Sequence, residues 1–127
     1  MSNKSFRTPL GRVRSVGAGR HGTENMLHIR LSAAALMPLG IAFVIIILTL
    51  LHKDYNGARA EMGQPLVAVL VLLFVCTGLY HMSLGVRVIL VDYVHGQARE
   101  WSLIVNTCVA VALAALAVYA VMRVGFT

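Results

Sequence analysis

Hydrophobic and polar positions divide the chain into three long uncharged runs separated by short polar segments. The runs cover residues 31–52, 62–86 and 101–122, and they contain no Asp, Glu, Lys or Arg over 22, 25 and 22 residues. At a rise of about 1.5 Å per residue, roughly 20 residues cross a bilayer core about 30 Å thick. Stretches such as LGIAFVIIILTLL and VAVALAALAVYAV carry no polar stripe of the kind that a soluble helix shows. The pattern therefore predicts an all-α membrane protein with three transmembrane helices.

The segments between these runs are too short to hold a further domain. We expect a basic N-terminal arm over residues 1–30, a three-helix transmembrane domain over residues 31–123 and a short C-terminal tail over residues 124–127. The spans are expected at about residues 31–52, 62–90 and 101–122, because the start of the second connection can continue its helix past Arg87. The first connection contains Asn56-Gly57, which is typical of a turn.

Composition and charge sharpen this topology. The chain is 58% hydrophobic and 13% charged, about half the charge of a soluble domain. Six of its eleven basic residues lie within the first thirty positions, opposed by Glu24 alone, so no folded basic face suited to nucleic acid is indicated. Basic residues near span ends favour the inside of the membrane. The N-terminus and the second connection are thus expected on the cytoplasmic side of a bacterial inner membrane. A mitochondrial inner membrane is less favoured because no clear cleavage signal is present.

His81 is the polar residue that most needs an explanation, because it lies inside the second span. At about 100° per residue, Gly78, His81, Gly85, Val88 and Asp92 share one helix face. Flanking glycines let a large flat group approach the backbone while imidazole binds its metal, so haem is one interpretation. The other is a histidine that forms a hydrogen bond within the helix bundle, with Gly78 and Gly85 as close helix contacts. Residue spacing leaves both open.

Three further polar residues are candidates near the inside surface. Asp92 and Tyr93 lie about 16 Å beyond His81 if the helix continues. A phenol can donate a hydrogen bond to a quinone carbonyl while the acid orients it or handles protons. Alternatively, Tyr93 belongs to the aromatic belt and Asp92 pairs with a nearby arginine. Arg30 opens the first span and suits a haem propionate, a lipid headgroup or a topology signal.

These residues also carry a family resemblance. The run HMSLGVRVILVDY from His81 to Tyr93 resembles the signature H-x3-G-x6-D-Y of the smaller hydrophobic membrane anchor of succinate dehydrogenase (respiratory complex II). The run from Gly22 to Ala33 is similar to the family's G-x7-R-x-[ST]-A segment, and TPLGRVRSVGAG is similar to its alphaproteobacterial and mitochondrial-type branch. The resemblance extends over nearly the whole chain.

The resemblance implies a role for each matched residue. His81 would be an axial ligand of haem b, the other ligand coming from a cytochrome b556 anchor subunit. Arg30 would lie near a haem propionate, Tyr93 would bind ubiquinone and Asp92 would support that site. Glu24 departs from the pattern, since some members have a histidine there near the propionates.

The implied protein is an anchor that is not catalytic by itself but takes part in catalysis within the complex, and it packs with its partner anchor into a helix bundle. It would hold the flavoprotein and iron–sulfur subunits of succinate:ubiquinone oxidoreductase at the membrane, within the citric acid cycle and aerobic respiratory chain. Cys76 and Cys108 lie in apolar runs, so no iron–sulfur or metal motif of the chain's own is indicated. Three alternatives are a menaquinone-linked fumarate reductase anchor, a small proton-coupled transporter using His81 and Asp92, and an assembly protein without a cofactor.

Overall fold

The computed structural model describes the backbone of residues 20–126 and the side chains of residues 23–125. Within that range the chain forms four helices and no strand. They are α1 (Arg20–Leu51), α2 (Tyr55–Met62), α3 (Pro65–Tyr93) and α4 (Gln97–Phe126). The three long helices are each long and apolar enough to cross a membrane. The prediction of an all-α protein with three spanning helices is confirmed.

Each long helix extends past at least one end of the uncharged run that predicted it. The α1 helix already begins at Arg20, so only residues 1–19 of the expected arm lie outside the described residues. The α4 helix continues to Phe126 through most of the expected tail, and only Thr127 lies outside the description. Charge marks where the hydrocarbon layer ends, whereas a helix ends where its hydrogen-bond ladder is broken, so the two boundaries need not coincide.

The first connection is a short helix rather than a turn. The Asn56-Gly57 pair lies in the first turn of α2, so the turn expected there is replaced by a helix start. Asp54 caps this helix, because its side chain accepts a hydrogen bond from the Gly57 backbone N–H at 3.1 Å. Lys53 and Glu61 form an ion pair at 2.6 Å across the segment. These local contacts keep the chain compact between α1 and α3.

The second connection is a tight link of three residues, Val94 to Gly96, between α3 and α4. Gly96 has a φ of +69°, the left-handed conformation that residues with a Cβ rarely adopt. A glycine in this position lets the chain reverse direction directly after Tyr93. The C-terminal end of α3 is thereby held next to the start of α4.

The α3 helix lies at the centre of the domain. It packs against α1 on one side and α4 on the other, and no Cα atom of α1 lies within 8 Å of a Cα atom of α4 among the described residues. The small core lies towards the α2 end and contains Ile46, Val67 and Val71. Large apolar side chains cover most of the remaining surface, as expected for contact with lipid or partner helices.

We predict that Gly96→Ala destabilises the protein by about 1–2 kcal/mol, because alanine pays the steric cost of the left-handed conformation. Gly125→Ala is the matched control: a Cβ meets nothing within 4 Å at either glycine, but Gly125 has no positive φ. The free energy of unfolding of both variants is measured in mixed detergent micelles. Equal stability of the two would contradict the role of the Gly96 conformation.

Candidate functional site

His81 lies in the middle of the central helix α3 and is partly buried. Its Nδ1 atom is 2.9 Å from the Oγ atom of Ser32 on α1. This contact joins residues 49 positions apart in the chain. One ring nitrogen is therefore used to attach α3 to α1, as the helix-packing interpretation expected.

The other ring nitrogen of His81, Nε2, makes no hydrogen bond within the described part of the chain. In the same region Arg99 Nε is the one buried side-chain nitrogen or oxygen that lacks a hydrogen-bond partner. The Nε2 atom of His81 is accordingly not buried but accessible at the surface of the chain. An accessible imidazole nitrogen with a fixed ring is a suitable metal ligand.

The two glycines beside His81 have different surroundings. A Cβ at Gly78 would lie 3.9 Å from the Cδ2 atom of Leu36, which is ordinary packing against α1. A Cβ at Gly85 would meet nothing within 4 Å, so the backbone there is open. Of the pair that the sequence singled out, Gly85 offers space for a large flat group, and Gly78 contributes to the contact between α1 and α3.

Asp92 and Tyr93 are the last two residues of α3, and both are exposed. The Tyr93 side chain is 81% exposed. Asp92 forms no ion pair with Arg87 or Arg99, although all three side chains fall within residues 23–125. Arg30 is also exposed, on α1. These groups are available to other molecules but do not enclose a pocket by themselves.

A cleft of 610 Å³ lies between α1, α3 and α4. Its floor is α3, and its walls come from the first turns of α1 and from the middle of α4. Polar side chains from all three helices line it, among them Glu24, Asn25, His28, Tyr80, Arg87 and Thr107. The ring of His28 packs edge-on against Tyr80, with centroids 6.4 Å apart. His81 does not line this cleft, so the cleft and the free imidazole nitrogen are separate features.

Two polar contacts between helices were not singled out by the sequence. Ser32 belongs to the [ST] position of the Gly22–Ala33 segment, but nothing in its neighbours indicated a partner on α3. The Nδ2 atom of Asn106 on α4 donates a hydrogen bond of 2.9 Å to the backbone oxygen of Ser83. An amide in an otherwise apolar span was the available signal for this contact.

Comparison with known proteins places this helical membrane protein in a family. Residues 4–121 match the family described as the succinate dehydrogenase/fumarate reductase transmembrane subunit. A relative from Paracoccus denitrificans, named succinate dehydrogenase hydrophobic membrane anchor subunit, is 30% identical over 93% of this chain and 92% of its own. Relatives with the same name from Rickettsia felis and Rickettsia bellii are 32% and 27% identical over 71% and 70% of this chain and 75% and 71% of theirs. No solved structure gives a significant match.

The chain is therefore a multi-pass helical membrane protein. It belongs to the family of transmembrane subunits of succinate dehydrogenase and fumarate reductase, since the match covers nearly the whole chain. These relatives are alphaproteobacterial, as the basic segment before α1 had indicated.

We predict that Asn106→Leu destabilises the helix bundle by about 0.6 kcal/mol and by at most about 1.7 kcal/mol, the range for a hydrogen bond between membrane helices. Thr107→Val is the control, because the Thr107 hydroxyl bonds only to Leu103 O in its own helix. In mixed micelles, Asn106→Leu should have a lower free energy of unfolding than Thr107→Val. The opposite order would show that the contact between α3 and α4 adds no stability.

Proposed function

We propose that this chain is the smaller membrane anchor of a succinate:ubiquinone oxidoreductase. The family match, the names of the relatives and the three spanning helices support this role. The chain would hold the flavoprotein and iron–sulfur subunits at the membrane and pack with the cytochrome b556 anchor subunit. The broad apolar surface left open on its long helices suits such a partner. Catalysis would require the whole complex.

The anchor would supply one axial ligand of haem b through His81. The free Nε2 atom, the fixed ring and the open backbone at Gly85 fit a haem bound on the outer surface of α3, between this chain and its partner. The second axial ligand would come from the cytochrome b556 subunit. When bound, the haem would supply a one-electron redox centre. Arg30 would offer an exposed guanidinium to a propionate.

The ubiquinone site would include Tyr93 and Asp92 at the inside end of α3. There the Tyr93 hydroxyl would donate a hydrogen bond to a quinone carbonyl, and Asp92 would support the site. Ubiquinone takes up two electrons and two protons to become ubiquinol. Succinate, oxidised to fumarate on the flavoprotein subunit, releases the two electrons, which pass through the iron–sulfur subunit. The exposure of both residues suits a pocket completed by those partners.

The proposed location is the bacterial inner membrane with the N-terminus in the cytoplasm. The basic residues before and near the start of α1 support this orientation, and the N-terminal arm would contact anionic lipid or a partner subunit. In this orientation Tyr93 faces the side on which the soluble subunits of the complex would dock.

A single observation carries the proposal that this anchor binds haem. On the central helix, His81 has Nδ1 within hydrogen-bond distance of Ser32 and Nε2 open to the surroundings. A proton relay would also use His81. A menaquinone-linked fumarate reductase anchor would share the same fold, because the family description covers both enzymes. The electron acceptor that the purified complex reduces distinguishes an anchor of succinate:ubiquinone oxidoreductase from an anchor of fumarate reductase.

We predict that His81→Ala abolishes the low-spin b-type α-band in the reduced-minus-oxidised spectrum of the purified complex, because one axial ligand is removed. His52→Ala is the control, since His52 is an exposed histidine whose one side-chain hydrogen bond among the described residues is to Leu48 O in α1. A normal band in His81→Ala would rule out ligation by this residue. Retention of the flavoprotein during purification reports separately on anchoring, and a homo-oligomer without flavoprotein would favour the transporter.

We predict that Tyr93→Phe lowers the rate of ubiquinone reduction roughly 3- to 10-fold, the effect of losing one hydrogen bond to the substrate. Succinate oxidation with an artificial dye acceptor should stay close to normal. Tyr55→Phe is the matched control, because Tyr55 is similarly exposed, at 78%, but lies on α2 at the other end of the domain. If both reactions were unchanged in Tyr93→Phe, Tyr93 would be an aromatic-belt residue only.

A further inference from the structure

Ser32 is the one buried polar side chain within residues 23–125, with 6% of its surface exposed. It lies on α1 and faces the central helix α3. A serine in a transmembrane helix usually satisfies its hydroxyl by bonding to a carbonyl one turn earlier in the same helix. Ser83 and Ser102 do so here, with Tyr80 O and Ala98 O. Ser32 does this and also contacts the histidine proposed as a haem ligand.

Three atoms surround the Ser32 hydroxyl within hydrogen-bond distance. The Oγ atom is 2.8 Å from His28 O, 3.0 Å from Ile29 O and 2.9 Å from His81 Nδ1. A hydroxyl has one hydrogen to donate and lone pairs with which to accept. Both backbone oxygens are acceptors only, so the contact between Ser32 and either carbonyl requires the serine hydrogen.

This constraint determines which partner donates between Ser32 and His81. If the serine hydrogen pointed at Nδ1, Oγ would lie beside two carbonyl oxygens with no hydrogen between any of them. With the hydrogen directed at the carbonyls, Oγ is free to accept a hydrogen bond from Nδ1–H. The hydroxyl then both donates and accepts, whereas the other arrangement would place two carbonyl oxygens 2.8 and 3.0 Å from an Oγ atom that has no hydrogen directed at them.

We propose that Ser32 is a positioning residue that holds His81 as the Nδ1–H tautomer, so that the lone pair of Nε2 is presented to iron. The inference rests on the proposed haem ligation and adds the group that prepares the ligand for it. A neutral imidazole carries its hydrogen on one nitrogen, and the hydrogen bond at that nitrogen decides which one it is. The same bond fixes the ring orientation and makes Nε2 a stronger donor to the metal.

The proposal differs from a purely structural role in what it changes. If the contact between Ser32 and His81 served helix packing alone, its loss would change the stability of the bundle and leave the potential and spectrum of the haem unchanged. As a positioning contact, it increases electron donation from His81 and favours ferric over ferrous haem. Its loss should therefore raise the haem midpoint potential and alter the low-spin signal in electron paramagnetic resonance spectra.

The test uses Ser32→Ala, Ser32→Thr and Ser32→Cys in the intact complex, with Ser102→Ala as the control. The Ser102 hydroxyl bonds only to Ala98 O within α4, so its removal should leave the haem unchanged. We expect Ser32→Ala to raise the midpoint potential and shift the low-spin g values. Ser32→Thr, which keeps the hydroxyl, should retain wild-type values. Ser32→Cys, which offers a weak sulfur acceptor, should fall between alanine and serine.

A midpoint potential and g values unchanged from wild type in Ser32→Ala would overturn the proposal and leave Ser32 as a packing residue. Should Ser32→Ala fail to assemble, Ser32→Cys decides by the same two measurements. His81→Ala separates the levels of inference. A normal haem spectrum in His81→Ala would refute the proposed ligation itself. Loss of haem in His81→Ala, together with a wild-type haem in Ser32→Ala, would refute only the role of Ser32.

Discussion

The hydrocarbon layer supplies no hydrogen-bond partners, so polar groups within it must be satisfied by protein or by a bound group. Backbone groups meet this requirement through the three long helices. Most hydroxyls meet it locally: Thr49, Ser83, Ser102 and Thr107 each bond to a carbonyl three or four residues earlier. The few polar groups that also reach across to another helix are the informative ones in this domain.

Two such contacts connect the described helices through side chains, and both end on α3. His81 meets Ser32 of α1, and Ser83 accepts through its backbone oxygen from Asn106 of α4. The two α3 residues are two positions apart in the chain, or about 200° around the helix, so they hold it on opposite sides at one level. Among the described residues no Cα atom of α1 lies within 8 Å of one of α4, so the central helix is the frame on which both neighbours are aligned. The residue proposed to bind haem is thus also one that holds the bundle together.

The features that could be predicted from the sequence are those set by local composition. Contacts between residues far apart in the chain could not be predicted. Long runs without charge predicted the three spans, because crossing the bilayer is a requirement on each run by itself. Those runs did not predict where the helices end, since the ladder of α1 already begins at Arg20, in charged sequence before Arg30. The Asn56-Gly57 pair indicated a turn, but the side chain of Asp54 stabilises a helix start there. Gly78 and Gly85 are equivalent on a helical wheel, and only the position of Leu36 distinguishes them. Ser32 could not be assigned because its partner lies 49 residues away.

The arrangement of α1 and α4 on either side of α3 also affects how the domain can form. Every pair of long helices in contact is adjacent in the chain, apart from the short α2 between the first two. Among the described residues no close approach of the α1 and α4 backbones has to form between the first and the last long helix. Native contacts between helices that are neighbours along the sequence give a low contact order, which favours rapid folding. Each long helix after the first therefore has its main packing partner in the long helix directly before it in the chain.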